Sequence, residues 1–297
     1  MDGNDRHNVI TSYLDGLKRR GYSARTLKTY AYALDELLSF FQPQALRLQD
    51  ITAEGIESYR LHLVERGLSP ATQELFLRAA RGLFNWMEES GRLFLNPCRE
   101  LVVRRPARRL LHVPTEDDVK TLLAQPDVDT PIGLRDRTMM EVAYSCGLRN
   151  EELVRLNVPD PDLATARLRV MGKGSKERVV PLGRHAVHWL RQYLDGAREQ
   201  LLDDTDEPAL WINRFGDRFT SIGLRHMVRR YAFEAGLNGI TPHGLRRACA
   251  THMLRRGAHP IQIQLLLGHA DMKSLSQYLR VSIKDLIEMH RKSKPGR

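Results

Sequence analysis

Residues 241–252 read Thr-Pro-His-Gly-Leu-Arg-Arg-Ala-Cys-Ala-Thr-His, and residues 265–278 read Leu-Leu-Leu-Gly-His-Ala-Asp-Met-Lys-Ser-Leu-Ser-Gln-Tyr. Thr241 followed by Pro242 is a helix-start signal: a capping hydroxyl, then the residue best tolerated at the first helical position. His243 therefore falls in a first turn, where backbone N–H groups without helical partners favour an anion. Arg246 stands three residues on, on the same face, and its planar fork matches phosphate oxygens. His269 and Tyr278 follow in the second segment. A tyrosine on an amphipathic helix is usually half-buried packing, so the information lies in the spacing of the four together.

Upstream, residues 132–146 after Pro131 read as an apolar helix ending at Gly147, followed by Leu148-Arg149-Asn150-Glu151-Glu152-Leu153. Taken alone, Arg149 and Glu152 are an ordinary intrahelical ion pair. Residues 166–180 alternate apolar and polar on both sides of Gly172-Lys173-Gly174-Ser175, which predicts two short strands joined by a glycine-rich turn. That turn lacks the spacing of a Walker loop and by itself reads as a solvated hairpin tip.

The set resembles the tyrosine recombinases, also called the phage integrase family. In those enzymes His-x-x-Arg is followed by Leu-Leu-Gly-His and, nine residues after that histidine, by the nucleophilic tyrosine. His243, Arg246, His269 and Tyr278 match position by position. Gly147-Leu148-Arg149 with Glu152-Leu153 matches the first signature box, Gly-Leu-Arg-x-x-Glu-Leu, whose arginine holds the scissile phosphate. Lys173 matches the hairpin lysine that protonates the leaving oxygen, with Lys176 its near neighbour. One departure is Glu151, where the family often has a small residue; a carboxylate there weakens phosphate binding by Arg149 unless it points away.

The implied chemistry is physically coherent. Attack on a phosphodiester places negative charge on the nonbridging oxygens, and fixed cations in a dry site stabilise it; Arg149, Arg246, His243 and His269 are the expected cations, with Glu152 in support. Tyrosine is a weak nucleophile near its ordinary pKa of ~10, so cations and a histidine are needed to draw off its proton. The deoxyribose 5′-oxygen is a poor leaving group and needs an acid. A 3′-phosphotyrosine keeps the bond energy for rejoining, so no nucleotide, metal or other cofactor is expected.

The chain has 297 residues, room for two domains. Its 46 Lys and Arg against 36 Asp and Glu give a formal charge of +10 and point to a polyanionic partner. Residues 1–106 hold 15 basic and 13 acidic side chains and residues 107–297 hold 31 and 23, so the second part carries most of the field. Cys98, Cys146 and Cys249 are odd in number and show no zinc spacing, which suggests a reducing cytoplasm. The polar N-terminus has no signal-peptide pattern, and no apolar run approaches the ~18 residues of a membrane span.

Helices are expected over 8–21 and 23–42, from Thr52 to Gly67, and from Ser69-Pro70 to Gly91. Arg25, Lys28, Arg78 and Arg81 lie on exposed faces there and are candidates for DNA contact beside the plainer reading of solvated surface. Val-Val-Arg104-Arg105-Pro-Ala-Arg108-Arg109 marks a basic linker that can track a duplex. Beyond it a capping box at Thr115–Asp118 starts a helix. A helix from about Arg184 to Leu202, a short strand at Leu210–Ile212 and a helix from Thr220 to Gly236 complete the series, the last bearing Arg225, Arg229 and Arg230 as further DNA contacts. A short helix after Val281 has an apolar face, Ile283, Leu286, Ile287 and Met289, which asks for a partner surface in cis or in trans.

The expected architecture is mainly α with a small β-sheet (α+β): a helical core-binding domain over 1–101, the linker over 102–114 and a mixed catalytic domain over 115–297. The resemblance implies a site-specific DNA recombinase of the two-domain Xer-like kind. It also implies a double-stranded DNA site as partner and a homo- or hetero-tetramer on that DNA, with no membrane. Alternatives are strand breakage and rejoining without partner exchange, as in type IB topoisomerases and telomere resolvases, or a non-catalytic DNA-binding protein.

Overall fold

The computed structural model describes residues 3–44, 46–101, 113–172, 177–203 and 207–268, with side chains in the first stretch from residue 7 onward. The chain divides into two units, Met1–Arg109 and Leu110–Arg297.

Hydroxyl caps set the helices of the N-terminal unit. After α1 (Gly3–Arg19), the Ser23 hydroxyl accepts the Thr26 N–H and opens α2 (Ala24–Phe41); Thr52 caps α3 (Ala53–Glu65) and Ser69, with Pro70 behind it, caps α4 (Pro70–Glu89). Leu34, Leu37 and Phe41 of α2 pack with Ile56, Tyr59 and Leu63 of α3 and with Phe76, Leu83 and Phe84 of α4 in one buried cluster. α1 begins five residues before the expected position, because Gly3-Asn-Asp-Arg-His carries no apolar periodicity by which a helix is read.

The C-terminal unit is built around α6 (Pro131–Cys146). It packs α5 (Glu116–Leu123) and α11 (Pro242–Arg255) as well as α8 (Arg184–Gln192), which continues through a π-turn at Tyr193–Ala197 into α9 (Arg198–Leu201). The expected capping box is present: the Asp118 N–H donates to the Thr115 hydroxyl at 3.0 Å and the Thr115 N–H donates back to the Asp118 carboxylate at 2.8 Å. α6 is less apolar than its sequence pattern suggests, since Arg135 and Asp136 are buried in it. Asp136 Oδ1 accepts two bonds from Arg135, at 2.6 and 2.9 Å, and Oδ2 accepts the Tyr231 hydroxyl at 3.0 Å.

Beyond α7 (Asn150–Val154), β1 (Pro161–Asp162), β2 (Arg167–Met171) and β3 (Glu177–Pro181) form an antiparallel sheet in that order. Leu168 pairs with Val180 and Val170 with Arg178, so these four share the inward face. The strand expected at Leu210–Ile212 is not formed. Isolated bridges Asn157 to Ala209 and Ile212 to Arg218 flank a segment whose Trp211 is buried, stacks on Tyr193 and donates its indole N–H to the Leu153 carbonyl at 2.9 Å. Those residues are apolar because they fill the core, a role periodicity does not separate from a buried strand. α10 (Ser221–Glu234) and α12 (Pro260–Leu267) complete the described unit.

Candidate active site

Gly147 ends α6 in the left-handed conformation, φ 58° and ψ 38°. A Cβ there would lie 2.6 Å from Leu267 Cδ2, so the position demands glycine both for its backbone and for the close approach of α12. The turn delivers Arg149 to the N-cap of α7 and puts Glu152 at its third helical position. From there the Glu152 carboxylate accepts the Arg149 backbone N–H at 2.9 Å and the Arg149 guanidinium at 2.6 Å.

Glu152 is the hub of a larger cluster. Arg178, from the inward face of β3, binds it with both terminal nitrogens: Nη1 donates to Oε1 at 3.0 Å and Nη2 to Oε2 at 2.9 Å. Arg246 lies 3.8 Å from Oε2. Burial pushes the Glu152 carboxyl up, but the bonds from Arg178 and from the Arg149 N–H, with the surrounding positive charge, outweigh it and hold the group down at about 2. It is therefore a carboxylate across the physiological range.

The same three arginines also cap α12. Gly268, again left-handed at φ 62°, stops that helix and returns its N–H to the Gln264 and Leu265 carbonyls. The next three carbonyls each accept from a different guanidinium. Leu266 takes Arg178 Nε at 3.1 Å, Leu267 takes Arg246 Nη2 at 2.7 Å, and Gly268 takes Arg149 Nη2 at 3.0 Å. Arg246 also donates to the Gly147 carbonyl at 2.5 Å. The negative end of a helix favours cations, and here it gathers them immediately before position 269.

Arg246 is 1% exposed, so its fork is fixed by the protein's own carbonyls, whereas the Arg149 side chain is 37% exposed and can meet a ligand. On α11, the Thr241 hydroxyl accepts the Gly244 N–H at 3.0 Å and Pro242 occupies the first helical position, which sets His243 at the surface of the first turn. Partial burial, then the charges of Arg247, Arg246 and Arg149, lower the His243 pKa below its ordinary 6.5. These surroundings favour the neutral imidazole of His243 over the cation expected from the sequence. Glu151 turns away from Arg149 and accepts the Ser221 hydroxyl at 2.8 Å, at the start of α10.

Lys173, Lys176, His269, Tyr278, the linker arginines Arg104, Arg105, Arg108 and Arg109, and the C-terminal segment from Val281 lie outside the described residues. Of the other basic candidates, Arg225 and Arg229 are exposed on α10. Arg230 is committed to Asp136 and Glu234 and lies over the Tyr231 ring. On the N-terminal unit, Arg25 and Lys28 are exposed near the start of α2, Arg78 pairs with Glu74, and Arg81 is half-buried on α4. The residue that sequence reading missed is Arg178. The signal for it is positional: a basic side chain paired with Val170 in a two-stranded pattern must share the buried face.

Residues 113–284 match the phage integrase family, and residues 10–90 match the phage integrase N-terminal SAM-like domain. The chain belongs to the phage integrase family, whose members are the tyrosine recombinases. Among its relatives is the tyrosine recombinase XerD of Pseudomonas aeruginosa, 35% identical over 291 residues that cover 97% of this chain and 98% of the relative. The fold matches that of XerH recombinase bound to a palindromic difH substrate after cleavage, with a TM-score of 0.76 and 23% identity over 91% of this chain and 80% of the other. It also matches lambda integrase solved as a tetramer on a Holliday junction, with a TM-score of 0.73 and 19% identity over 92% of this chain and 76% of the other.

Proposed function

We propose that this chain is a site-specific DNA recombinase that cuts and rejoins DNA strands through a 3′-phosphotyrosine intermediate. The observation that carries the reading is the gathering of Arg149, Arg246 and His243 around the end of α12, one residue before His269, in a chain that matches XerD along nearly its full length.

In this mechanism Arg149 meets the nonbridging oxygens of the scissile phosphate, Arg246, held on the Gly147 and Leu267 carbonyls, adds fixed positive charge behind it, and Glu152 keeps Arg149 from collapsing into other contacts. The Tyr278 oxygen attacks phosphorus as the bond to the 5′-oxygen breaks, and Lys173 gives that oxygen its proton. His243, whose partial burial and arginine neighbours favour the neutral imidazole, is suited to accept the phenolic proton or to donate a hydrogen bond to the phosphate; His269 supplies the second imidazole. Attack by the 5′-hydroxyl of another strand reverses the step and releases Tyr278. Metal and nucleotide have no part in this scheme, because side-chain cations carry the charge.

Residues 1–101 serve as the helical clasp, residues 102–114 as a basic tether and residues 115–297 as the catalytic domain. Arg25, Lys28, Arg78 and Arg81 on the first and Arg225 and Arg229 on the last contact the duplex backbone or grooves. Exchange takes four protomers on a synapsed pair of double-stranded sites, all of this chain or shared with a related recombinase. No described helix is long and apolar enough to cross a membrane, and we place the reaction in the cytoplasm.

The test uses a duplex selected for binding from a random-sequence pool and nicked beside the scissile phosphate, so that the cut strand diffuses away and the adduct accumulates. The wild-type chain is expected to give a protease-sensitive protein–DNA adduct, and Tyr278→Phe to bind the same duplex without one. An adduct formed by Tyr278→Phe assigns the nucleophile elsewhere; binding without an adduct by the wild type identifies a protein that only occupies its site.

A further inference from the structure

Arg178 binds no expected substrate group, yet it makes three hydrogen bonds to two elements that also hold the phosphate-facing Arg149. Its two terminal nitrogens take both oxygens of Glu152, at 2.9 and 3.0 Å, and its Nε takes the Leu266 carbonyl at 3.1 Å. The side chain is 15% exposed and its partner Glu152 is 4% exposed, so the pair is shielded from solvent. A Cβ on Gly268 would lie 3.0 Å from the Arg178 Cζ, so the turn that ends α12 rests on the guanidinium plane.

The consequence concerns Arg149. Its Nη1 is held by Glu152 and its Nη2 by the Gly268 carbonyl. Arg178 anchors both of those acceptors, one through the carboxylate and one through the turn at Leu266–Gly268. Without Arg178, the Glu152 carboxylate loses two charge-assisted bonds and is free to rotate towards Arg149 and Arg246. The end of α12 loses one of its three caps at the same time. Arg149 would keep its charge and lose its aim.

We infer that Arg178 is a positioning residue for strand cleavage: acting through Glu152 and the Leu266–Gly268 turn, it fixes the Arg149 guanidinium where the scissile phosphate binds. The inference rests on the recombinase reading above. A lysine at this position cannot replace it, because one ammonium cannot span both Glu152 oxygens and the Leu266 carbonyl in the geometry of a planar fork.

The experiment compares wild type, Arg178→Gln, Arg178→Lys and Arg149→Ala on the selected nicked duplex in three forms. One has the ordinary scissile phosphate. The second has one nonbridging oxygen replaced by methyl, which makes the centre neutral and lessens the need for an arginine. The third has the bridging 5′-oxygen replaced by sulfur, which leaves without a proton. On the ordinary phosphate, Arg178→Gln is expected to lower the rate of adduct formation by about 10- to 100-fold, the scale of a mispositioned catalytic group, with duplex affinity unchanged.

The deficit should shrink on the methyl-substituted centre, as is expected also of Arg149→Ala, and persist on the sulfur substrate. Arg178→Lys should show the same pattern with a smaller loss, and it decides the matter if Arg178→Gln proves too unstable to assay. An equal loss on all three substrates would mean that Arg178 only supports folding. Rescue by sulfur alone would mean that it places the leaving-group acid, and wild-type rates in both variants would mean that it has no part; each overturns the inference. Absence of an adduct from the wild type is a different result and counts against the recombinase reading itself.

Discussion

Arg60 and Glu57 pair on the surface of α3 in the N-terminal unit, with side chains 35% and 52% exposed, whereas Glu152 meets Arg178 in the C-terminal unit with both nearly enclosed. The contrast extends across the two units. The N-terminal core cluster is made of apolar and aromatic side chains, and Arg66–Glu36 and Arg78–Glu74 decorate its surface. In the C-terminal unit Arg135, Asp136, Glu141, Glu152 and Arg246 are all buried. Exposed pairs contribute about 0–1 kcal/mol, while buried charges demand full networks and give little or no net stability over apolar packing. Arg135 and Asp136 pair with each other and Glu141 with Arg137, whereas Glu152 and Arg246 belong to the cluster that positions Arg149. Among its described residues the N-terminal unit buries no comparable set of charges, and it is built as an ordinary helical bundle.

The sharpest way to break this comparison is to remove the hub. Glu152→Ala leaves Arg149, Arg178 and Arg246 facing one another, and a loss of about 3–5 kcal/mol in urea unfolding of the C-terminal unit is expected, the range for an orphaned buried pair. Acid sharpens the same point. The folded-state pKa of Glu152, about 2, lies below the unfolded value of ~4.3, so its stabilisation is fully present above that value and is lost as pH falls towards 2. The gap in stability between wild type and Glu152→Gln should accordingly narrow by roughly 2–3 kcal/mol across that window.

Gly147→Ala is expected to cost less, about 1–3 kcal/mol for the left-handed backbone, with a further penalty because Leu267 must move aside; a thermal melt reads both. Glu57→Ala, the surface control, should change stability by under about 1 kcal/mol and leave adduct formation alone. A Glu57 effect as large as that of Glu152 would remove the distinction between the units.

Much of this molecule is readable from residue order because short-range rules govern it. Ser23, Thr52, Ser69, Thr115 and Thr241 cap helices through hydroxyls that need only the next three residues. Gly147 announces a left-handed stop, and the alternation of residues 166–180 places β2 against β3. What was hidden depends on partners far along the chain. Arg178 reaches Glu152 and Leu266, 26 and 88 residues away, and only its pairing with Val170 betrays an inward orientation. Arg246 looks like a free phosphate fork in the sequence, yet it is turned onto the Gly147 and Leu267 carbonyls. The apolar run Leu210–Ile212 reads as a strand because burial in a core and burial in a sheet leave the same composition.

Side-chain cations, fixed by Glu152 and the end of α12, are proposed to do the electrostatic work of phosphoryl transfer. This role is tested most directly by adduct formation on the selected nicked duplex in excess EDTA, without nucleotide, followed by mass mapping of the DNA-linked peptide. Undiminished yield is expected, with the link on the peptide that contains Tyr278. Loss of the adduct in EDTA while DNA binding persists, with recovery on adding Mg²⁺, would contradict it.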